Sequence, residues 1–434
     1  MSRTMRRQQG PGVGVLVARL RQLSVDSPAR FAVIDGFGPL TYAELWQRAY
    51  DVIARTPPAR PGAVQPLLGR PSADMMARLV AAWLTDTVPM IVRLGAPPAT
   101  VAAAVRAAAR TGGHRCGPWL AHLTSHGAVL LGGAPPTSHR TAAAFGLHPD
   151  SSLLLGADPA EPLAAELVIR QLILGGTVVL AGTDPDAWQT ALRMHRPTVT
   201  LVGGEIVHRL RRYPQGLPAS VRTDGTLRRI LVPAEIAADD ADRLTGAAPD
   251  IRVTAVYHRP GVGAATSTLT RGGRAAVFTA VPGTVLRVAG PNGGHLPPHR
   301  VGLLEASSDL GETAHHAGQP CTPTVTWRTA GDLATRTTTG GIVLRRLQPP
   351  DTYTAANGQR ITVTALTTAV QRLPGVAAVQ VLALPDPHGL VRAHLRITSN
   401  RPDLTATGVA AACTAAGTPI QAAAVVITHT AEPS

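Results

Sequence analysis

Residues 172–205, LILGGTVVLAGTDPDAWQTALRMHRPTVTLVGGE, hold the alternation that decides the fold. An apolar run closes on Gly175-Gly176, TVVLA reads as a strand, Asp186 to Met194 as a helix, and TVTLV as the next strand. Short Val- and Leu-rich runs separated by helical segments indicate buried parallel strands with helices on both faces. The same rhythm extends toward the N-terminus. Pro162 to Leu174 reads as a helix, SSLLLGA as a strand, Thr137 to Phe145 as a helix, WLAHLT as a strand, Pro98 to Ala109 as a helix, VPMIVRL as a strand and Ala73 to Leu84 as a helix. Before them, Leu16 to Leu23 is helical, and a hairpin from Phe31 to Leu40 feeds a helix capped by Thr41 with Glu44 three residues on, a capping box.

Toward the C-terminus come a helix over Ile206 to Arg212, the strand LRRILV, a helix over Ala238 to Leu244 and the strand IRVTAVY. From Gly272 the pattern turns β-rich, with RAAVFTA, TVLRVAG, VGLLEAS and GGIVLRRL between Gly and Pro turns. Leu347 to Asp351, LQPPD, reads as a linker because consecutive prolines do not continue a strand interior. A small α+β unit follows, with helices over Thr364 to Leu373 and Thr405 to Ala415. The expected fold class is α/β, with a large N-terminal domain of layered sheets and a β-rich subdomain (1–346), a hinge linker (347–350) and a small α+β C-terminal lid domain (351–434).

Composition narrows the function classes. The 41 basic residues are all arginine, spread from Arg3 to Arg401 without a basic block, and aromatics make up only 3%. A net charge of +14 distributed this way reads as Arg-rich coding bias and predicts no nucleic-acid partner. No apolar stretch reaches the roughly eighteen residues of a membrane span, so no membrane partner is expected. MSRTMRRQQG reads as a frayed tail without a cleavage site. Cys116, Cys321 and Cys413 form no CxxC pair, which fits a reducing cytoplasm.

Taken in order, these segments resemble the adenylate-forming superfamily of acyl-CoA synthetases, peptide-synthetase adenylation domains and luciferases. The resemblance rests on the entry hairpin and helix (PARFAVIDGFGPLTYAELWQRAYDVIA), on LILGGTVVLA, LRRILVPAEI, VTAVYHRPGVG, GTVLRVAGPNGGHLPPHRVGLLEAS, WRTAGDLAT, DTYTAANGQRI and QRLPGVAAVQVLALPD. It implies an acid–thiol ligase that joins a carboxylate to AMP and then passes the acyl group to a thiol or amine. By the same resemblance Tyr257 matches the tyrosine against adenine, Asp332 the aspartate on the ribose hydroxyls, Arg345 or Arg346 the arginine before the hinge, and Asp351 the hinge residue. Thr124, Ser125 and Gly127 match the phosphate loop, while Gly203, Gly204 and Glu205 fall where the family lines its acyl pocket.

The departures fall on triphosphate handling. The loop's hydroxyl-rich middle and lysine are replaced by Ala128-Val129-Leu130-Leu131, and β-branched residues resist the backbone of a phosphate nest. Pro260 and Gly261 stand where the motif's threonine and magnesium-side glutamate would be, and the chain as given ends at AVVITHTAEPS, short of the segment with the lid's catalytic lysine. Loss of a charge-stabilising group of that kind costs roughly a hundredfold to a thousandfold in rate. The residues assign no catalytic group. ATP with magnesium, or an adenylate, stays open as a ligand.

Three readings stay open: a divergent homologue in a specialised pathway with weak or lost adenylation, an active ligase with arginines in place of lysines, and a pseudoenzyme partner. The expected partners are a small carboxylate, an adenylate or an acyl thioester, with an acyl carrier protein drawn by the basic surface. His114, Cys116, His122 and His126 suggest a metal cluster only if His122 and His126 share a helix, and WLAHLTS reads as a strand, so no metal site is expected. His315-His316 reads as a solvated loop, and Glu205 either polarises the acyl pocket or caps a helix.

Overall fold

The structure is a computed structural model, and it describes residues 11–93, 96, 98–110, 120–124, 127–132, 139–203, 206–207, 225–234, 251–259, 263–270, 276–290, 293–308, 313–316, 327–346, 352–354, 360–385 and 391–429. The chain divides into two compact units, Met1–Val285 with Ser308–Thr326, and Leu286–Ser307 with Trp327–Ser434.

The first unit opens with α1 (Pro11–Asp26), the hairpin β1 (Phe31–Asp35) and β2 (Gly38–Thr41), α2 (Tyr42–Arg55), β3 (Val64–Leu68), α3 (Ala73–Leu84), β4 (Val88–Val92), α4 (Pro98–Arg110), β5 (Leu120–Thr124), β6 (Gly127–Gly132) and α5 (His139–Ala144). It continues through β7 (Ser152–Gly156), α6 (Pro162–Leu174), β8 (Thr177–Leu180), α7 (Pro185–His195), β9 (Val199–Val202), β10 (Arg229–Pro233), β11 (Arg252–Arg259), β12 (Gly263–Thr268) and β13 (Val277–Ala280). One sheet runs β13-β12-β11-β10-β9-β7-β8-β1-β2, parallel from β11 to β1. A second runs β16-β6-β5-β4-β3, where β16 is Thr313–His316.

Helix α6 is buried from Ala164 to Leu174, as a helix apolar nearly all round must be. It ends on Gly175 in the left-handed region, φ 93°, which only glycine adopts without cost. The Tyr42 hydroxyl, at the start of α2, lies 2.8 and 2.7 Å from the carbonyls of Leu172 and Gly176 and shares its one hydrogen between them at the end of α6. Burial pushes this phenol far above its ordinary range, against the pull of Arg30 and Arg19. The Thr41–Glu44 capping box forms as expected.

The second unit holds β14 (Thr284–Ala289, from Leu286), β15 (Gly302–Ser308), β17 (Arg328–Arg336) and β18 (Ile342–Arg346), in the order β14-β15-β17-β18. It continues with the hairpin β19 (Thr352–Thr354) and β20 (Arg360–Thr362), α8 (Val363–Gln371), β21 (Val376–Pro385), β22 (Val391–Ser399), α9 (Ala406–Ala415) and β23 (Val425–His429). The last of these strands form the sheet β21-β22-β23 over a core of Leu366, Val370, Leu395, Ile397, Val409 and Cys413. The α/β class, the large sheet and the small C-terminal α+β region are as expected from the sequence.

Several strands are not expected from the sequence, among them β3, which contains Pro66, and β12 and β17. β6 occupies residues read as a phosphate loop, and His315-His316 lie in β16 rather than in a solvated loop. β6 and β16 depend on pairing with a strand distant in sequence and β3 on tolerance of a proline, and neither leaves a local signature. The expected helix over Ala238 to Leu244, most of that over Ile206 to Arg212, and the linker 347–350 with Asp351 lie outside the described residues. Among the described residues no helix is long and apolar enough to cross a membrane.

Candidate functional site

In an open parallel sheet, ligands bind at the carboxyl ends of the strands where the winding reverses. Here β7 is flanked by β8 on one side and β9 on the other, so the reversal falls at β7. Its last residue, Gly156, accepts a hydrogen bond from the Gly203 amide at 2.9 Å just beyond β9. A Cβ at Gly156 would come within 2.6 Å of Trp188 and Ile206, so only glycine permits this approach. Gly203 therefore stands at the switch point; Gly204 and Glu205 lie outside the described residues.

The same edge carries Tyr257 and His258 near the end of β11. Tyr257 is buried, with the Arg259 guanidinium 5.7 Å from its ring centroid. His258 Nε2 lies 2.9 Å from the Glu166 carboxylate, one turn into α6, and Arg170 sits 3.8 Å from the other Glu166 oxygen. Burial pushes the Glu166 carboxyl upward, but His258, through charge and hydrogen bond, and Arg170 outweigh it and hold the group well below the usual carboxylate range. His122 on β5 shares this environment. Its imidazole is fully buried, and neither ring nitrogen finds a hydrogen-bond partner among the described residues. Burial pushes it down to about 4, with Glu166 pulling it up and His258 pushing it further down, so it is neutral at pH 7.

Thr124 and Gly127 sit on a tight hairpin. Thr124 ends β5, pairs with Gly127 at the start of β6, and leaves only Ser125 and His126, outside the described residues, between them. From Val129 to Leu131, β6 is laddered to β5 on one edge and to β16 on the other. Its amides are committed to the sheet and do not face a loop.

In the second unit, Asp332 lies in an irregular stretch of β17, where the pairing with β15 shifts between Leu303 and Glu305. Gly331 before it adopts φ 85°, as in a bulge that re-aims the following side chain, and Asp332 is fully buried. The β17–β18 register sets Arg346 opposite Leu333, next in sequence to Asp332, with Arg345 beside it. Nearby, the Glu305 carboxylate is 2% exposed and is held by Arg287 at 2.7 Å and by Arg396 of β22, which also donates to the Gly290 carbonyl at 2.8 Å. Arg287 in turn stacks 4.0 Å from the Trp327 ring centroid.

Sequence reasoning missed Glu166, Arg170, His258 and Glu305. The signal for the first two was present: charges at i and i+4 inside an otherwise apolar helix mark a buried pair. Among the described residues no group of three His, Cys, Asp or Glu side chains is arranged to hold a metal ion. His114, Cys116 and His126 lie outside them, and Cys413 is a buried free thiol.

Comparison with known structures matches almost the whole chain. MbtA of Mycobacterium smegmatis superposes with a TM-score of 0.63 at 20% identity, over 95% of this chain and 91% of that one. The fold is that of the adenylate-forming enzymes. McbA of Marinactinospora thermotolerans, an amide bond synthetase, gives 0.61 at 18% identity over 95% of both chains. The anthranilate CoA ligase AuaEII, solved in complex with anthranoyl-AMP, gives 0.62 at 14% identity over 96% of this chain and 94% of that one. No protein-family model matches the chain, and no curated protein matches it by sequence.

Proposed function

We propose that this protein binds a small carboxylate in activated form, as an acyl adenylate or acyl thioester, with ATP-driven adenylation weak or lost, and that it works in a specialised pathway of the cytoplasm. The observation that carries this is the β5–β6 hairpin: two residues join the strands, and β6 is paired on both edges from Val129 to Leu131. A triphosphate cradle needs a run of free backbone amides there. The fold supports the carboxylate half of the reading, since McbA, MbtA and AuaEII share it. Gly203 with Gly204 and Glu205 would line the acyl side, Tyr257, Asp332 and Arg346 the nucleoside side, and Asp351 the hinge of a C-terminal lid over 351–434. An acyl carrier protein, drawn by the arginine-rich surface, is the proposed macromolecular partner.

The test pairs two measurements. Pyrophosphate exchange with a panel of carboxylic acids should stay at background, while benzoyl- or acetyl-sulfamoyl adenosine, stable mimics of an acyl adenylate, should raise the melting temperature. Robust exchange would instead identify a working ligase with arginines on the phosphates. Stabilisation by neither mimic would leave an interaction partner without a ligand site.

A further inference from the structure

We propose that Glu166 and His258 form an acid–base dyad at the carboxyl edge of the first unit's parallel sheet, in which His258 takes the proton of a nucleophile attacking an activated carboxyl group. The inference deepens the function proposed above and rests on it. Three features of placement carry it. His258 stands near the end of β11, on the edge where ligands bind in open α/β sheets. The side chains of His258, Glu166 and Arg170 are 9, 7 and 6% exposed, so the dyad is shielded from bulk water, where a carboxylate orients and polarises a histidine most strongly. Glu166 holds Nε2 at 2.9 Å, which fixes the ring and assigns Nδ1 to the reacting proton.

The surroundings suit a base. Arg170 shares the Glu166 carboxylate from the same helix, and His122 approaches from β5 as a neutral ring that adds no positive charge. Arg259, next in the chain, stacks toward Tyr257. A purely structural ion pair in α6 has no need of a titratable partner, since Arg170 alone could neutralise Glu166.

The step balances as follows. The nucleophile, an amine or water, adds to the carbonyl carbon of an acyl adenylate, forming a C–N or C–O bond. Its proton passes to His258 Nδ1, and Glu166 stabilises the imidazolium. The C–O bond to the phosphate breaks, the electron pair leaves with AMP, and the histidine then releases its proton to solvent. A thiolate acceptor would need no such base, so the dyad points to protic acceptors.

The experiment uses the full chain with acetyl and benzoyl adenylate, following AMP release and separating the two acceptors by product: hydroxamate when hydroxylamine is present, free acid when it is not. The expected result is acceleration over buffer that rises with pH, a loss of about a hundredfold to ten-thousandfold in kcat with little change in KM for His258→Ala, partial rescue of that variant by added imidazole, and an altered pH profile for Glu166→Gln. His258→Gln serves as the fold control by thermal melting. An unchanged rate in folded His258→Ala or His258→Gln, or no acceleration by the parent chain, overturns the dyad. The sulfamoyl adenosine melting shift is read on the same samples: if it persists while the dyad fails, adenylate binding stands alone, and if it is absent, the functional reading has failed with it.

Discussion

Each unit of the molecule buries a carboxylate between two basic side chains, and the two solutions differ in kind. Glu305 is held by two arginines whose side chains are 24% and 22% exposed, so its partners are permanently charged and partly hydrated. Glu166 is held by a histidine and an arginine that are almost as buried as itself, beside a second histidine with no hydrogen-bond partner among the described residues. The first arrangement is a fixed strut joining β14, β15 and β22. The second contains a histidine that burial holds neutral at pH 7 and that gains its charge only toward pH 4.

The contrast can be broken most strongly by removing the strut. Glu305→Ala leaves two arginines facing each other across a buried site and is expected to cost about 4 kcal/mol, measured by urea unfolding. A loss under about 1 kcal/mol would show that the arginines find solvent easily and that the strut is weak.

Acid should act most strongly on the first unit; in the second, burial lowers His394 of β22, which adds a loss of the same sign. An unfolded histidine protonates near pH 6.5, whereas folded His122 resists until about 4, so within that window the unfolded chain binds more protons and stability falls as pH drops. The expected loss is on the order of 3 kcal/mol, complete by about pH 4. Glu166, whose folded pKa is depressed, adds a further loss as pH falls below the ordinary carboxylate range. In His122→Leu the upper part of this dependence should vanish. Segment-resolved hydrogen exchange at pH 4.5 should show α6 and β11 losing protection while β14 and β15 keep theirs; uniform loss in both units would erase the contrast.

A smaller effect separates the two arginines on Glu305. Arg396→Met keeps the aliphatic packing and leaves Arg287 in place, so a cost of about 2 kcal/mol is expected, read from the same urea curves. The smallest effect concerns the other buried carboxylate of the second unit. Gly331→Ala must carry a Cβ at φ 85° and should cost about 1 kcal/mol by thermal melting, with Asp332 displaced from its buried position.

How far the sequence discloses all this depends on the range of the interaction. The Thr41–Glu44 box, the span of α6 and the span of α3 are readable because caps and apolar periodicity are local. The pairing of β6 with β16 is not, since it joins residues 127–132 to residues 313–316 and neither run announces the other. The candidate site follows the same rule. Gly203, Tyr257 and Asp332 are all named from resemblance. The Glu166–His258 contact joins a helix to a strand about ninety residues away, and only the packing of α6 against β11 brings them together. Glu166 with Arg170 at i, i+4 in a helix otherwise apolar apart from Gln171 was the one clue in plain sight.

The two-residue join between β5 and β6 also sets what this scaffold can become. Side-chain replacement alters the chemistry displayed on a backbone but adds no backbone, and an anion cradle is made of main-chain amides. On the function proposed above, restoring a glutamate at Gly261 would add no main-chain amides, and an insertion that opens the hairpin would be the starting point for coupling this fold to ATP.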